Sequence, residues 1–164
     1  LRANCALPET VDAVADRLDI AKKFGADATF DVSAMSEDDL VSAVRAECPP
    51  DGADVGLEVC GFAGVVPVGV RMLRVGGCFV IGGLVHPDAT FEIDGNQPLK
   101  KMITLKDVLT SHPLNLIQAL DFVMSNRDRY PFGDIVDSKF SLDQLDEAFA
   151  RAADRSVLRA AIVP

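Results

Sequence analysis

The stretch Ala53–Gly83 constrains the fold more than any other, because it contains a complete strand, crossover and strand. Ala53–Cys60 is an apolar run introduced by the turn residues Pro49-Pro50-Asp51-Gly52, and Cys78–Ile81 is a second run introduced by Gly76-Gly77. Runs of this length without alternation read as strands buried on both faces. Between them Val65, Val66, Val68, Val70, Met72 and Leu73 form an apolar segment closed by Arg71 and Arg74, cations suited to the negative end of a helix. The expected product is a right-handed βαβ unit with parallel strands. Ligands of such sheets sit beyond the carboxyl ends of the strands, here Val59-Cys60-Gly61 and Ile81-Gly82-Gly83-Leu84.

The flanking sequence continues the alternation. Val14, Leu18, Ala21 and Phe24 keep helical spacing, with Lys22-Lys23 near the end and Gly25 as terminator, so a helix is expected over about 14–24, beginning as early as Glu9. No strand is expected before Asp12, because LRANCALPET has few β-branched residues and a proline. Thr29–Val32 reads as a strand. Ser36 and Asp39 have cap spacing ahead of a helix whose face is Leu40, Val41, Val44 and Cys48, stopped by Pro49-Pro50.

Beyond the central unit, Thr90–Ile93 reads as a short strand and Ile103–Val108 as another, and His112-Pro113 opens a helix with Leu116, Ile117, Leu120, Val123 and Met124 on one face. Tyr130-Pro131-Phe132 is a turn. Ser141 and Gln144 have capping-box spacing before a helix expected to bury Leu145, Ala148, Phe149 and Ala152. Val157–Val163, the final strand, contains Arg159.

The totals bound the function. A net charge of −9 argues against a nucleic-acid surface, since affinity for phosphate backbones comes from Lys and Arg. No run approaches the roughly 18 apolar residues of a membrane helix, and a reducing cytoplasm is the expected location. Cys5, Cys48, Cys60 and Cys78 are far apart and only His86 and His112 supply imidazoles, so reduced thiols rather than a zinc ribbon are expected. Lys100-Lys101 is too short a patch to imply phosphate binding.

GLEVCG, followed by MLRVGGCFVIGGLVHP, resembles the nucleotide-binding domain of zinc-dependent medium-chain alcohol dehydrogenases. The fold this implies is α/β, an incomplete doubly wound (Rossmann-like), mostly parallel sheet with helices on both faces. The resemblance implies that Val59, Cys60, Gly61, Gly82, Gly83 and Leu84 line the nicotinamide end of an NAD(P) groove. VDAVADRLDIAKKFGAD is similar to the family's second-strand exit, which would make Asp12 the ribose carboxylate and favour NAD; an exposed carboxylate at a helix start is an equal reading. Arg159 would bind the pyrophosphate, as a planar two-pronged donor can; a surface ion pair is the alternative. ANCALPET looks like the loop that carries a catalytic-zinc cysteine, notably in the phosphonate-catabolism-associated branch, so Cys5 would be a vestigial metal ligand.

The pieces do not add up to a whole enzyme. Gly-x-Gly-x-x-Gly occurs nowhere in these 164 residues, and Cys5 lacks the companion ligands that zinc requires, so zinc is expected in intact relatives and not here. An internal deletion explains the pattern, with 1–13 a remnant of the catalytic-domain connection and 14–164 a partial dinucleotide-binding domain. Without a first strand, Thr29–Val32 and Ala53–Val59 are expected to pair directly. The resemblance further implies a small-molecule alcohol or carbonyl substrate in intact relatives and a homodimer through residues 85–102. Three functions stay open: an NAD(P)-linked alcohol dehydrogenase inactive as this chain, a noncatalytic dinucleotide-binding or dimerisation remnant, and a nonfunctional gene product.

Overall fold

Strand β3, Ala53–Glu58, helix α3, Val65–Met72, and strand β4, Leu73–Ile81, form the expected unit in a computed structural model that describes residues 8–84 and 88–164. β3 and β4 run parallel, Val55 opposite Cys78 and Glu58 opposite Ile81, and β4 continues into a parallel ladder with β5, Thr104–Asp107. β4 begins at Leu73, five residues before the apolar run that announced it.

Side chains alternate across β3. Gly56 faces α3, where the Phe79 ring of β4 fills the space between strand and helix. Val66, Val70, Leu73, Phe79 and Ile81 make this core, all nearly or wholly buried. On the other face, Val55 and Leu57 stay open to solvent.

The structure corrects the expectation that no strand precedes Asp12. Strand β1, Glu9–Asp12, pairs in parallel with β2, Ala28–Asp31, and helix α1, Ala15–Lys23, connects them. Thr10 and Val11 supply the β-branched residues. Pro8 sits just outside the ladder, where a missing N–H removes no rung, and its carbonyl accepts from the Asp27 N–H at 2.8 Å.

That strand also explains a second correction. β2 does not pair with β3: the described strands form ladders β1-β2, β3-β4-β5 and β6-β7. β1 takes the place beside β2. Helix α2, Glu37–Glu47, carries the chain past the start of β1, where the Cys48 thiol donates to Glu9 Oε1 at 3.1 Å. Its N-terminus is capped as read, with the Asp39 N–H donating to Ser36 Oγ at 3.2 Å. Leu40, Val41 and Val44 of α2 pack with Val68 of α3, which joins the two halves.

Two cations close the C-terminus of α3. Lys101 Nζ donates to the carbonyls of Arg71 (2.8 Å) and Leu73 (2.9 Å), and Arg45 Nη1 reaches the Leu73 carbonyl at 3.0 Å. Carbonyls at a helix end lack intrahelical partners, and cations there meet the negative pole. Lys101 lies at the end of helix α4, Asn96–Lys101. The run Thr90–Ile93 is irregular, not a strand: β4 is already flanked by β3 and β5, and the run joins no ladder among the described strands.

His112 caps helix α5, Pro113–Asn126, its Nδ1 accepting from the Leu114 N–H at 3.2 Å. Nearly all of α5 is exposed, Leu116, Ile117 and Leu120 included. Strand β6, Ser138–Phe140, and strand β7, Ala160–Ile162, form the last parallel pair, joined through helix α6, Leu145–Ala153. The Ser141–Gln144 capping box forms as the spacing implied. Only Ala148 of the α6 face is buried; Leu145 and Phe149 are 40% and 68% exposed, because the surface they turn towards is an open groove rather than another layer.

Candidate functional site

The carboxyl ends of β3 and β4 meet through one side chain. Glu58, the last residue of β3, is 3% exposed. Its backbone carbonyl accepts from the N–H groups of Gly82 (2.8 Å) and Gly83 (3.1 Å). Its carboxylate accepts from the Gly61 N–H at 2.6 Å through Oε1 and from the Gly83 N–H at 3.0 Å through Oε2. Burial acts to raise its pKa, and the hydrogen bonds from Gly61, Cys60 and Gly83 outweigh that, holding the carboxyl below its ordinary range.

The two loops touch closely enough to require glycine. Gly61 has φ +78°, and a methyl group there would lie 3.0 Å from the Gly83 carbonyl oxygen. At Gly83 a methyl group would stand 2.7 Å from the Gly61 nitrogen and 2.8 Å from Glu58 Oε1. Val59, Cys60, Gly61, Gly82 and Gly83 are therefore brought together. Leu84 turns inward onto the core of Phe79 and Ile81. Burial, with the Glu58 carboxylate beside it, raises the Cys60 thiol pKa against opposing backbone hydrogen bonds, so it is not an activated nucleophile.

The other candidates lie elsewhere. Asp12 ends β1, in a different ladder, with Oδ1 accepting from the Val14 N–H at 2.9 Å. Arg159 precedes β7, and its backbone N–H donates to Asp137 Oδ1 at 3.2 Å. Arg159 lines an apolar groove of about 730 Å³ between α1 and α6, together with Arg17, Ile20, Phe24, Leu145 and Phe149. Cys5 and His86 lie outside the described residues. Among the described residues no three metal-ligating side chains come together.

Sequence reasoning passed over Glu58. Its signal is present in GLEVCG: a carboxylate inside an apolar strand, with a glycine three residues on whose N–H can reach back to it.

Most of the chain, residues 3–125, matches the family model described as zinc-binding dehydrogenase. The chain belongs to that family. Within the zinc-binding dehydrogenases, 5-exo-hydroxycamphor dehydrogenase of Pseudomonas putida is 26% identical over 132 residues, covering 80% of this chain and 37% of the relative. An alcohol dehydrogenase of Thermotoga maritima superimposes with a TM-score of 0.87 at 20% identity, covering 95% of this chain and 42% of that one. A Sinorhizobium meliloti protein classed as a zinc-binding dehydrogenase, solved bound to NADP, superimposes with a TM-score of 0.84 at 23% identity over 98% of this chain and 46% of its own. This chain thus spans less than half the length of each of them. The α/β architecture with parallel strands is that of the zinc-binding dehydrogenases.

Proposed function

We propose that these residues form the nicotinamide-facing side of an NAD(P) groove of a zinc-type alcohol dehydrogenase, and that the 164 residues alone do not turn over alcohol. One observation carries the reading: two glycine-bearing strand ends meet beyond β3 and β4 with their N–H groups turned inward onto Glu58. Amides engaged in this way are not available to a phosphate. A planar ring that brings no anion is what such a surface suits, resting on Val59 and the glycine backbones.

The rest of the cofactor falls to other residues. Asp12 keeps one carboxylate oxygen for a ribose hydroxyl, and its charge opposes a 2′-phosphate, which favours NAD over NADP. Arg159 is the pyrophosphate donor in this reading. When bound, the nicotinamide supplies the hydride chemistry. The chain's own part is to hold and orient the ring between Val59, Cys60, Gly61, Gly82 and Gly83. Zinc has no three-ligand cage among the described residues, and the glycine-rich turn that grips a diphosphate is missing from the sequence.

The NADP bound to the Sinorhizobium meliloti relative supports the cofactor class. In this reading 14–164 belong to a partial dinucleotide-binding domain and 1–13 are a remnant of the catalytic-domain connection, which contributes β1. The substrate of the whole enzyme is a small alcohol or carbonyl, the location is the cytoplasm, and subunits meet through residues 85–102. Calorimetric titration with NADH and NADPH, beside a turnover assay with simple alcohols, tests the proposal. NADH should bind more tightly than NADPH, without NAD reduction. Absence of NADH binding removes the groove; turnover removes the inactivity.

A further inference from the structure

We infer that Glu58 is the positioning residue of this site: its carboxylate sets the spacing of the two strand-end loops by drawing in the Gly61 and Gly83 amides together. The inference rests on the groove reading above and deepens it. The β3-β4 ladder ends at Glu58 opposite Ile81, after which strand pairing gives no reason for the loops to stay adjacent. Glu58 extends the ladder by one side chain. Its backbone carbonyl takes Gly82 and Gly83, and its two carboxylate oxygens take one amide from each loop.

Charge is essential to that geometry. An ionised carboxylate has acceptor capacity on both oxygens, and hydrogen bonds to it are roughly twice as strong as neutral ones. A protonated carboxyl or an amide offers one oxygen and turns a donor towards the second N–H. The titratable group in contact with Glu58 is the Cys60 thiol, and its other side-chain partners are backbone amides. No ion pair to it occurs among the described residues. A buried carboxylate without a cation is tolerated only where amides satisfy it. Here they come from the two segments proposed to hold the ring.

The test uses the chain as it stands. In amide NMR spectra of the wild type, the Gly61 and Gly83 resonances should move together through one midpoint below the ordinary glutamate range. E58Q should lose both shifts and bind NADH at least tenfold more weakly while keeping wild-type circular dichroism. If E58Q does not fold, G83A presses a methyl group onto the same tie and should weaken NADH in the same way, and the wild-type titration needs no variant. Independent midpoints, or E58Q binding NADH as the wild type does, would overturn the inference and leave the groove reading intact. A wild type that binds no NADH overturns the groove, and the positioning role with it.

Discussion

Phe79 of β4 and Gly69 of α3 are in direct contact, the ring lying where any larger residue on the helix would place its Cβ. A methyl group at Gly69 would come within 2.5 Å of Phe79 Cζ, and one at Gly56 of β3 within 2.5 Å of Cδ2. The ring is 4% exposed and has nowhere to retreat.

Gly69→Ala should therefore destabilise the fold. Helix propensity favours alanine by about 1 kcal/mol, but forcing atoms into a filled core costs about 1–3 kcal/mol, and a contact this short puts the cost at the upper end. Urea unfolding should show a net loss of about 1–2 kcal/mol. Phe79→Leu in the same chain should recover part of the Gly69→Ala loss, since it vacates the space the methyl group needs; two additive losses would show that the ring is not the obstacle.

Lys101→Met should weaken the closure of α3. The ammonium supplies hydrogen bonds to two carbonyls otherwise unpartnered within the helix, and a hydrogen bond involving a charged group is worth about 1.5–3 kcal/mol when part-buried. Arg45 still reaches the Leu73 carbonyl, so the loss should fall near the lower figure. Arg45→Met combined with Lys101→Met should cost more than the two single changes summed, because the last cation on a shared acceptor matters most. Thermal unfolding of the three variants measures this.

The central βαβ unit was legible because burial, helical spacing and terminators agreed from Ala53 to Ile81. β1 was not, because Glu9–Asp12 carries its strand character in two residues and gains the rest from pairing with β2. The converse error at Thr90–Ile93 has the same root: an alternating run is a strand only when it pairs, and this one joins no ladder among the described strands. At the site, the glycines could be read from their place at strand ends. Glu58 could not, since an acidic residue in an apolar run gains its meaning from amides that only the folded loops bring to it.

Asp137 gives the fold an acid-sensitive tie. Its Oδ2 accepts from the Leu158 N–H at 2.9 Å and its Oδ1 from the Arg159 N–H at 3.2 Å. The Leu158 bond lowers its pKa most, and the slight burial that opposes it is outweighed. In the window between the lowered folded value and the ordinary aspartate value the unfolded chain binds more protons, so stability rises with pH there. The contribution is complete above the ordinary value and disappears as pH falls through the folded one. Asp137→Asn should flatten this part of a stability-against-pH curve and leave it unchanged in shape above pH 6.

The bare sheet face should be sticky. Val55 and Leu57 are each 62% exposed and Val59 is 70% exposed, along a strand whose outer edge has no partner among the described strands. Unpaired edges and apolar patches recruit other chains. The isolated chain should bind an apolar dye and show concentration-dependent light scattering. Leu57→Lys should reduce both several-fold without loss of helical signal, as a charge on an edge strand does in natural sheets. Unchanged scattering would place the adhesive surface elsewhere, α5 being next in line.

Tyr130 offers a change in the opposite direction. Its ring stacks on Phe24 at 5.9 Å and meets Phe132 edge-on at 5.9 Å, an aromatic cluster that fastens the end of α1 to the turn after α5. The hydroxyl is buried without a hydrogen-bond partner among the described residues. A buried polar atom left unsatisfied costs about 1–3 kcal/mol, whereas the ring contacts do not need the oxygen. Tyr130→Phe keeps the stacking and removes the unpaired group, so it should leave stability unchanged or raise it by about 1 kcal/mol. Tyr130→Ala, which removes the ring, should cost about 3–5 kcal/mol on the scale of large aromatic truncations. Urea midpoints for the two variants separate the value of the ring from the burden of its hydroxyl, and a loss in Tyr130→Phe would mean that the oxygen has a partner in solution.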